Sequence, residues 1–506
     1  MKKITLLTAL LAVVASLSAQ RTDTTSAEYF YNRGLAYYYG GGCSQNIDST
    51  IFYWSKAAEK GSKNAAYGLG LIYEDGTLVD QDSKQAFKWF SRAAQLGDMF
   101  AQYTMGLYLC NGYVGQPDTT EAIAWLKKAA NQNYAPAMRQ IGIILEARTD
   151  PKDSTYKQYK PIMNWYAKAA AKKDAVAQYR LGNLYFEGKG DYHNLPKAYA
   201  LYKKAANGGC VEAMYAAGIC EVFGYGVEHD GRKGMAWIRK AAELGMPDAQ
   251  YLLGVSYAYG DYVKKNLDSA LYYLIPLSQQ GFDEAYYDLG LIYYNEYKDV
   301  DKALQCWQKA DSLQVEEVYY ALGVLYYVGM GVERSLDQAY KYWTKGAAND
   351  CHCQHGLGIM YYTGVPVRQD YKKAYAYFEK AVKGCGYPYA FYMLGVCCEN
   401  GQGCSRDVSL ALQNYGAAAD AGHLESMVSF VSLRNYAGIT MYDDQAQEYL
   451  ELALKAGYQP AIDYQRNIME HKDQLKAERR HAHRAAEGLE ISADNHAAPT
   501  PVRRKH

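Results

Sequence analysis

The sequence predicts an all-α fold, an α/α superhelical solenoid of short helix-turn-helix repeats, and three observations carry that reading. A glycine recurs at Gly34, Gly70, Gly106, Gly142, Gly182, Gly218, Gly254, Gly290, Gly323, Gly358 and Gly395, with gaps of 36, 36, 36, 40, 36, 36, 36, 33, 35 and 37 residues. A second glycine follows most of these six residues later, as at Gly40, Gly76 and Gly260. An apolar-periodic segment opened by Asp then follows, as in "DSKQAFKWFSRAAQLG". A fixed period of this length marks a repeat array, in which no unit buries its apolar face alone.

The first helix of each unit reads like "AQYLLGVSYAYG", residues 249–260. Mid-helix glycine costs about 1 kcal/mol relative to alanine, so Gly254 must be demanded by the close approach of a second helix. Around the ladder glycine the register places Ala five residues before (Ala65, Ala101, Ala249), Tyr three before (Tyr67, Tyr103, Tyr251) and Tyr three after (Tyr37, Tyr73, Tyr257). The glycine six residues on suits a left-handed helix end. The second helix opens on Asp, which suits an N-cap, and carries an aromatic followed by a small pair such as Ala93-Ala94 or Ala241-Ala242.

Three units depart from the pattern. The fourth is stretched by "EARTDPKDSTYKQYKP" (146–161), expected as a projecting polar loop. The eighth is short and lacks its second glycine. After Gly422 a twelfth unit is degenerate in its first helix ("ESMVSFVSLRNYAG") but regular in its second ("AQEYLELALKAG"). Terminal repeats are atypical because one face meets water.

The phrase A-x-Y-x-L-G-x-x-Y-x-x-G, a loop, then K-A-x-x-W-x-x-K-A-A-x-x-G, seen across Ala65 to Gly97, resembles the Sel-1-like repeats, relatives of the tetratricopeptide repeats. The resemblance spans about residues 27–460. It implies adaptors and scaffolds for protein complexes, often in signalling or the bacterial cell envelope, with first helices lining a concave side. Fold alone does not fix function.

The first twenty residues, "MKKITLLTALLAVVASLSAQ", read as a bacterial secretory signal: Lys2 and Lys3, an apolar run from Ile4 to Leu17, then Ser18-Ala19 with cleavage after Ala19. The apolar run is short of the roughly 20 residues a membrane span needs. The expected organisation is a signal peptide at 1–19, a linker at 20–26, the repeat solenoid at 27–468, and a polar tail at 469–506 with a basic, His-containing cluster (Arg479, Arg480, His481, His483, Arg484). Export to the periplasm or beyond follows as an expectation. Lys+Arg and Asp+Glu balance at 54 each, which argues against nucleic acid as partner.

Eleven cysteines in an exported chain suggest some disulfides, and six crowd into Cys351–Cys404. "DCHCQHG" (350–356) has the look of a metal motif in Cys351, His352, Cys353 and His355. The register offers a simpler account, with Cys353 in the Ala position and His355 in the Tyr position, so no metal or other cofactor is assigned. A disulfide involving this cluster is the alternative.

The first helix is apolar nearly all round. Two positions differ: two before and five after the glycine, seven residues apart and so on one face. Their chemistry varies from unit to unit, and the expectation is a partner-binding stripe, with a solvated face that holds no ligand as the alternative: Asn32 and Tyr39, Asp75, Thr104 and Asn111, Arg180 and Glu187, Tyr259, Asp288 and Asn295. The expected partners are other proteins or peptide segments. No catalytic signature is present: HExxH, G-x-S-x-G and a phosphate loop are missing. A lone S-x-x-K at Ser154–Lys157 lacks the companion elements of β-lactam chemistry. The expected function is a non-catalytic envelope adaptor; the alternative is a cell-wall or β-lactam binding protein or hydrolase.

Overall fold

The computed structural model describes residues 24–113, 115–150, 152, 156–189, 193–439 and 443–470. The signal segment, most of the linker, Ser154 and the tail from residue 471 lie outside these residues. The described residues form 25 α-helices and one π-helical turn, with no strand. The chain divides into two compact units, one up to Gln250 and one from Tyr251. Within each unit, consecutive helices pack as antiparallel pairs and each pair packs on the next.

A typical pair is Lys63–Asp75 with Ser83–Gln95. Ser62 caps the first helix, accepting from the Ala65 backbone N–H, and Gly76 ends it in the left-handed region at φ +68°. Asp82 caps the second helix, accepting from Lys84 and Gln85. Each such cap contributes about 1 kcal/mol. The cap residue also closes the hairpin: its backbone N–H donates to the carbonyl three residues past the ladder glycine. Asn46 bonds Tyr37 at 3.0 Å, Asp82 bonds Tyr73 at 3.0 Å, Asp370 bonds Tyr361 at 2.9 Å and Asp407 bonds Cys398 at 2.9 Å. One residue position thus starts the second helix and ties it back to the first.

The ladder glycines are explained by what lies opposite them. A Cβ at Gly70 would stand 2.5 Å from the Phe90 ring, at Gly182 2.6 Å from Tyr202, and at Gly323 2.1 Å from the Trp343 indole. In each case the opposing side chain is the residue twenty positions on. The indole N–H groups of Trp54, Trp307 and Trp343 donate to the carbonyls of Tyr31, Tyr287 and Tyr320, so the buried rings leave no polar atom stranded. The helix propensity lost at glycine is offset by an aromatic side chain seated directly on backbone.

The irregular units keep these contacts by adjusting the backbone. In the fourth, part of the expected loop is helix: Tyr156–Ala171 starts inside the insertion and contains Pro161. Four extra residues are absorbed, so Tyr166 rather than position 162 faces Gly142, at 2.4 Å from a would-be Cβ. In the eighth, Ala285–Ile292 runs into the π turn Tyr293–Tyr297, and Lys298 takes the left-handed end at φ +54°. With three residues missing, Asp299 still donates to Tyr293 at 2.9 Å. The wider turn restores the hairpin closure that the deletion would have broken.

The twelfth pair comprises Leu424–Ala437 and Asp443–Lys455, and Gln459–Glu470 follows it. Ala461 and Tyr464 of this last helix are buried, and Asn435 donates to the Tyr464 hydroxyl at 2.6 Å. The end of the stack is thus covered by its own helix, as a terminal repeat requires.

Candidate functional site

From the second repeat to the eleventh, the positions five before, one before, at, and two after the glycine are buried in every first helix. The tyrosines three before and three after are mostly half-buried. Several of the latter stack on an aromatic of the second helix: Tyr37 on Tyr53 at 5.5 Å, Tyr326 on Tyr342 at 5.7 Å and Tyr361 on Tyr377 at 5.7 Å. Tyrosine abundance is therefore largely a packing property of the hairpin.

The two expected stripe positions are placed differently. Two residues before the glycine, the side chains reach the preceding repeat. Thr104 lies near the Tyr67 hydroxyl of the preceding repeat, whose pKa burial pushes up to about 12, with Asp98 and Glu74 adding to the effect. Arg180 pairs with Glu146 at 3.1 Å, and Glu146 also accepts from the Tyr166 hydroxyl at 2.5 Å. Asp288 is buried, at 4 % exposure, and accepts from the Tyr251 hydroxyl at 2.5 Å. Asn32, in the first repeat, is half-buried. The varied chemistry at this position reflects pairwise matching between neighbouring repeats: a polar group half-buried at a repeat boundary costs free energy unless its neighbour supplies a partner.

Five residues after the glycine the picture reverses in the first unit. Tyr39, Asp75, Asn111 and Glu187 are all exposed. Phe223, missing from the expected set, occupies the same register position and is 44 % exposed, stacked at 5.7 Å on Tyr225. Its signal was legible, since it stands five residues after Gly218. Tyr113, just past the same point in the third repeat, is 61 % exposed and rests edge-on against Tyr108. It also lines a shallow hollow with Tyr73, Asp80 and Lys84. In the second unit Tyr259 and Asn295 are half-buried, and the Tyr259 hydroxyl is enclosed without a hydrogen-bond partner.

The Cys/His cluster resolves into separate structural roles. Cys351 and Cys385 form a disulfide between the start of Cys351–Thr363 and the end of Tyr371–Cys385. Cys351 with Asp350 and His352 is the one grouping among the described residues with metal-ligand proximity, yet the Cys351 sulfur is committed to the disulfide. Asp350 caps the helix, accepting from His352 at 2.6 Å and Cys353 at 3.1 Å. Cys353 is fully buried in the alanine position. His355 packs in the tyrosine position against Phe378 and Tyr387, and burial, then His352 and His423, pull its pKa down to about 3. Lys157 of the S-x-x-K tetrapeptide lies in the first turn of Tyr156–Ala171, while Ser154 is outside the described residues.

Among the described residues, no helix is long and apolar enough to cross a membrane. No curated protein matches the chain in sequence. Among solved structures, a protective antigen present in uropathogenic Escherichia coli strains, c5321, described as displaying an SLR fold, is 25% identical. The match covers 90% of this chain and 97% of that one, with a TM-score of 0.73. A Sel1 repeat protein from Oxalobacter formigenes is 25% identical over 74% of this chain and 87% of its own, with a TM-score of 0.41. The Sel1 repeat profile matches ten times, at residues 31–62, 63–98, 100–134, 175–210, 211–246, 247–282, 283–310, 317–351, 351–384 and 388–423. The stretched fourth pair falls in the gap between 134 and 175, where the hairpin is kept but the spacing is not. With the ladder, the helix pairs and these matches in agreement, the chain belongs to the Sel1 repeat family.

Proposed function

We propose that this protein is an exported, non-catalytic adaptor that holds protein partners along the exposed row at the ends of its first helices. The observation that carries this reading is the first-unit row Tyr39, Asp75, Asn111, Glu187 and Phe223, which varies in chemistry at one constant place in an otherwise constant frame. Side chains there carry no helix-to-helix packing duty, so their variety is free to match a ligand. Aromatic and acidic groups set on rigid helices favour a protein or peptide surface over a small molecule, and aromatic residues are enriched where proteins meet. Export is supported by the signal-like first twenty residues, by the Cys351–Cys385 bond, which persists in oxidising compartments, and by the resemblance to a protective antigen.

The test is in-cell crosslinking with mass spectrometry on the full chain, comparing wild type with Asp75→Lys/Glu187→Lys/Phe223→Ala. Protein neighbours captured by the wild type and lost by the variant are expected. Retention on peptidoglycan with no protein neighbours would overturn the adaptor reading and favour a cell-wall binder.

A further inference from the structure

Repeat eleven closes its hairpin without an aromatic stack. Where the first, seventh, ninth and tenth repeats stack a tyrosine three residues after the glycine on a ring sixteen residues later, this one carries Cys398 and Asn414. Cys398 instead faces Cys404 of the connecting loop, with the two Sγ atoms 3.7 Å apart. The loop backbone is already set on both sides of Cys404. Gln402 donates to the Cys397 carbonyl at 2.9 Å and Asp407 to the Cys398 carbonyl at 2.9 Å. Gly403, at φ +83°, lies so close to Tyr371 that a Cβ would stand 2.1 Å from its carbonyl oxygen. The two sulfurs stand 3.7 Å apart, against about 2.05 Å in a formed disulfide.

We propose that Cys398 and Cys404 are the site of a second disulfide in this chain, formed by exchange with a disulfide-bearing oxidant. Cys404 is half-exposed whereas Cys398 is fully buried, so the oxidant meets Cys404 first. The Cys404 thiol gives up its proton and attacks the oxidant's disulfide, displacing one thiolate and leaving a mixed disulfide. Cys398 then gives up its proton and attacks the Cys404 sulfur, displacing the second thiolate. The chain loses two electrons and two protons, and these leave as the two thiols of the reduced oxidant. Burial raises the Cys398 pKa to about 12, which keeps it a thiol and makes it the poorer first nucleophile, in line with Cys404 attacking the oxidant first. The bond would do covalently what the stacked rings do elsewhere, joining the first helix to the path toward the second.

The experiment treats the folded full chain with oxidised glutathione, alkylates remaining thiols after denaturation, and maps the cysteines by mass spectrometry. Oxidation is expected to lower the alkylated thiols from nine to seven, with a Cys398–Cys404 peptide appearing beside Cys351–Cys385. Cys404→Ser is expected to abolish the second bond while keeping the first and the wild-type helical signal; Cys397→Ser is expected to leave both bonds. A Cys404 that stays alkylatable throughout, or that pairs with Cys397 or any cysteine other than Cys398, would overturn the proposal.

Discussion

The repeats before and after Gln250 share a register and fill it differently. In the first unit, boundary positions hold polar pairs such as Arg180 with Glu146, and the row at the helix ends stays in water. In the second, the boundary position sinks, as at Asp288, the helix-end row is half-buried at Tyr259 and Asn295 but exposed at Thr363 and Asn400, and cysteines and histidines replace alanines and tyrosines from residue 351 onward. One core cluster there runs from Cys351 to Tyr464. The difference teaches that the glycine and the hairpin closure define the repeat, while the remaining positions can be spent either on a solvent-facing row or on a thicker, cross-linked core.

The comparison is broken most forcefully at the disulfide. Cys351→Ser/Cys385→Ser opens a loop of separation 34, which the chain-entropy estimate makes worth about 4 kcal/mol. Hydrogen exchange is expected to show the loss in the tenth and neighbouring repeats, with protection before Gln250 unchanged. Uniform loss across both units would mean that they do not respond separately.

Glycine replacements come next. Gly323→Ala places a Cβ against the Trp343 indole, and Gly254→Ala one against the branched end of Leu274 at 2.9 Å. Overpacking costs about 1–3 kcal/mol, and the first substitution is expected at the upper end because an indole cannot bend aside. Thermal melts of both variants check the order, and equal losses would remove the steric account of the ladder.

The half-buried imidazole of His355 sharpens the contrast through pH. His355, with its pKa lowered to about 3 when folded, stays neutral while the unfolded chain takes up a proton below about 6.5. Its contribution is therefore fully present above pH 6.5 and is lost as pH falls toward 3, amounting to about 2 kcal/mol by pH 5. Burial likewise lowers His423 to about 4, with the same sign, while Glu425 is raised by burial and opposes it. His355→Tyr, restoring the register residue, is expected to flatten this slope between pH 7 and 5 in denaturant titrations.

The smallest effect belongs to the first unit. Arg180→Ala removes an ion pair whose arginine is 39% exposed, so after solvent screening the loss is expected at or below about 1 kcal/mol. Glu187→Lys, in the exposed row, is expected to leave the melting curve within about 0.5 kcal/mol of wild type. A larger loss at Glu187 than at Arg180 would reverse the assignment of the two positions.

Much of this was legible beforehand, though not evenly. Pair order, capping Asp residues and the role of Gly254 could be read because each depends on neighbours at fixed sequence distance. The path of the insertion could not, since Pro161 and the polar residues around it suit a loop as well as a helix start, and only the seat opposite Gly142 makes Tyr166 the winner. The stripe was half legible: variation at Arg180 and at Glu187 looks the same in a string of letters, but one faces the previous repeat and the other faces water.

By itself the sequence determined the all-α repeat, its hairpin and its period, because these follow from local propensity, caps and a glycine that must meet an aromatic. Tertiary structure alone decided which variable residues are committed to neighbouring repeats, that Cys351 pairs with Cys385, and that Cys398 faces Cys404. Those outcomes depend on distances between residues that no periodicity encodes.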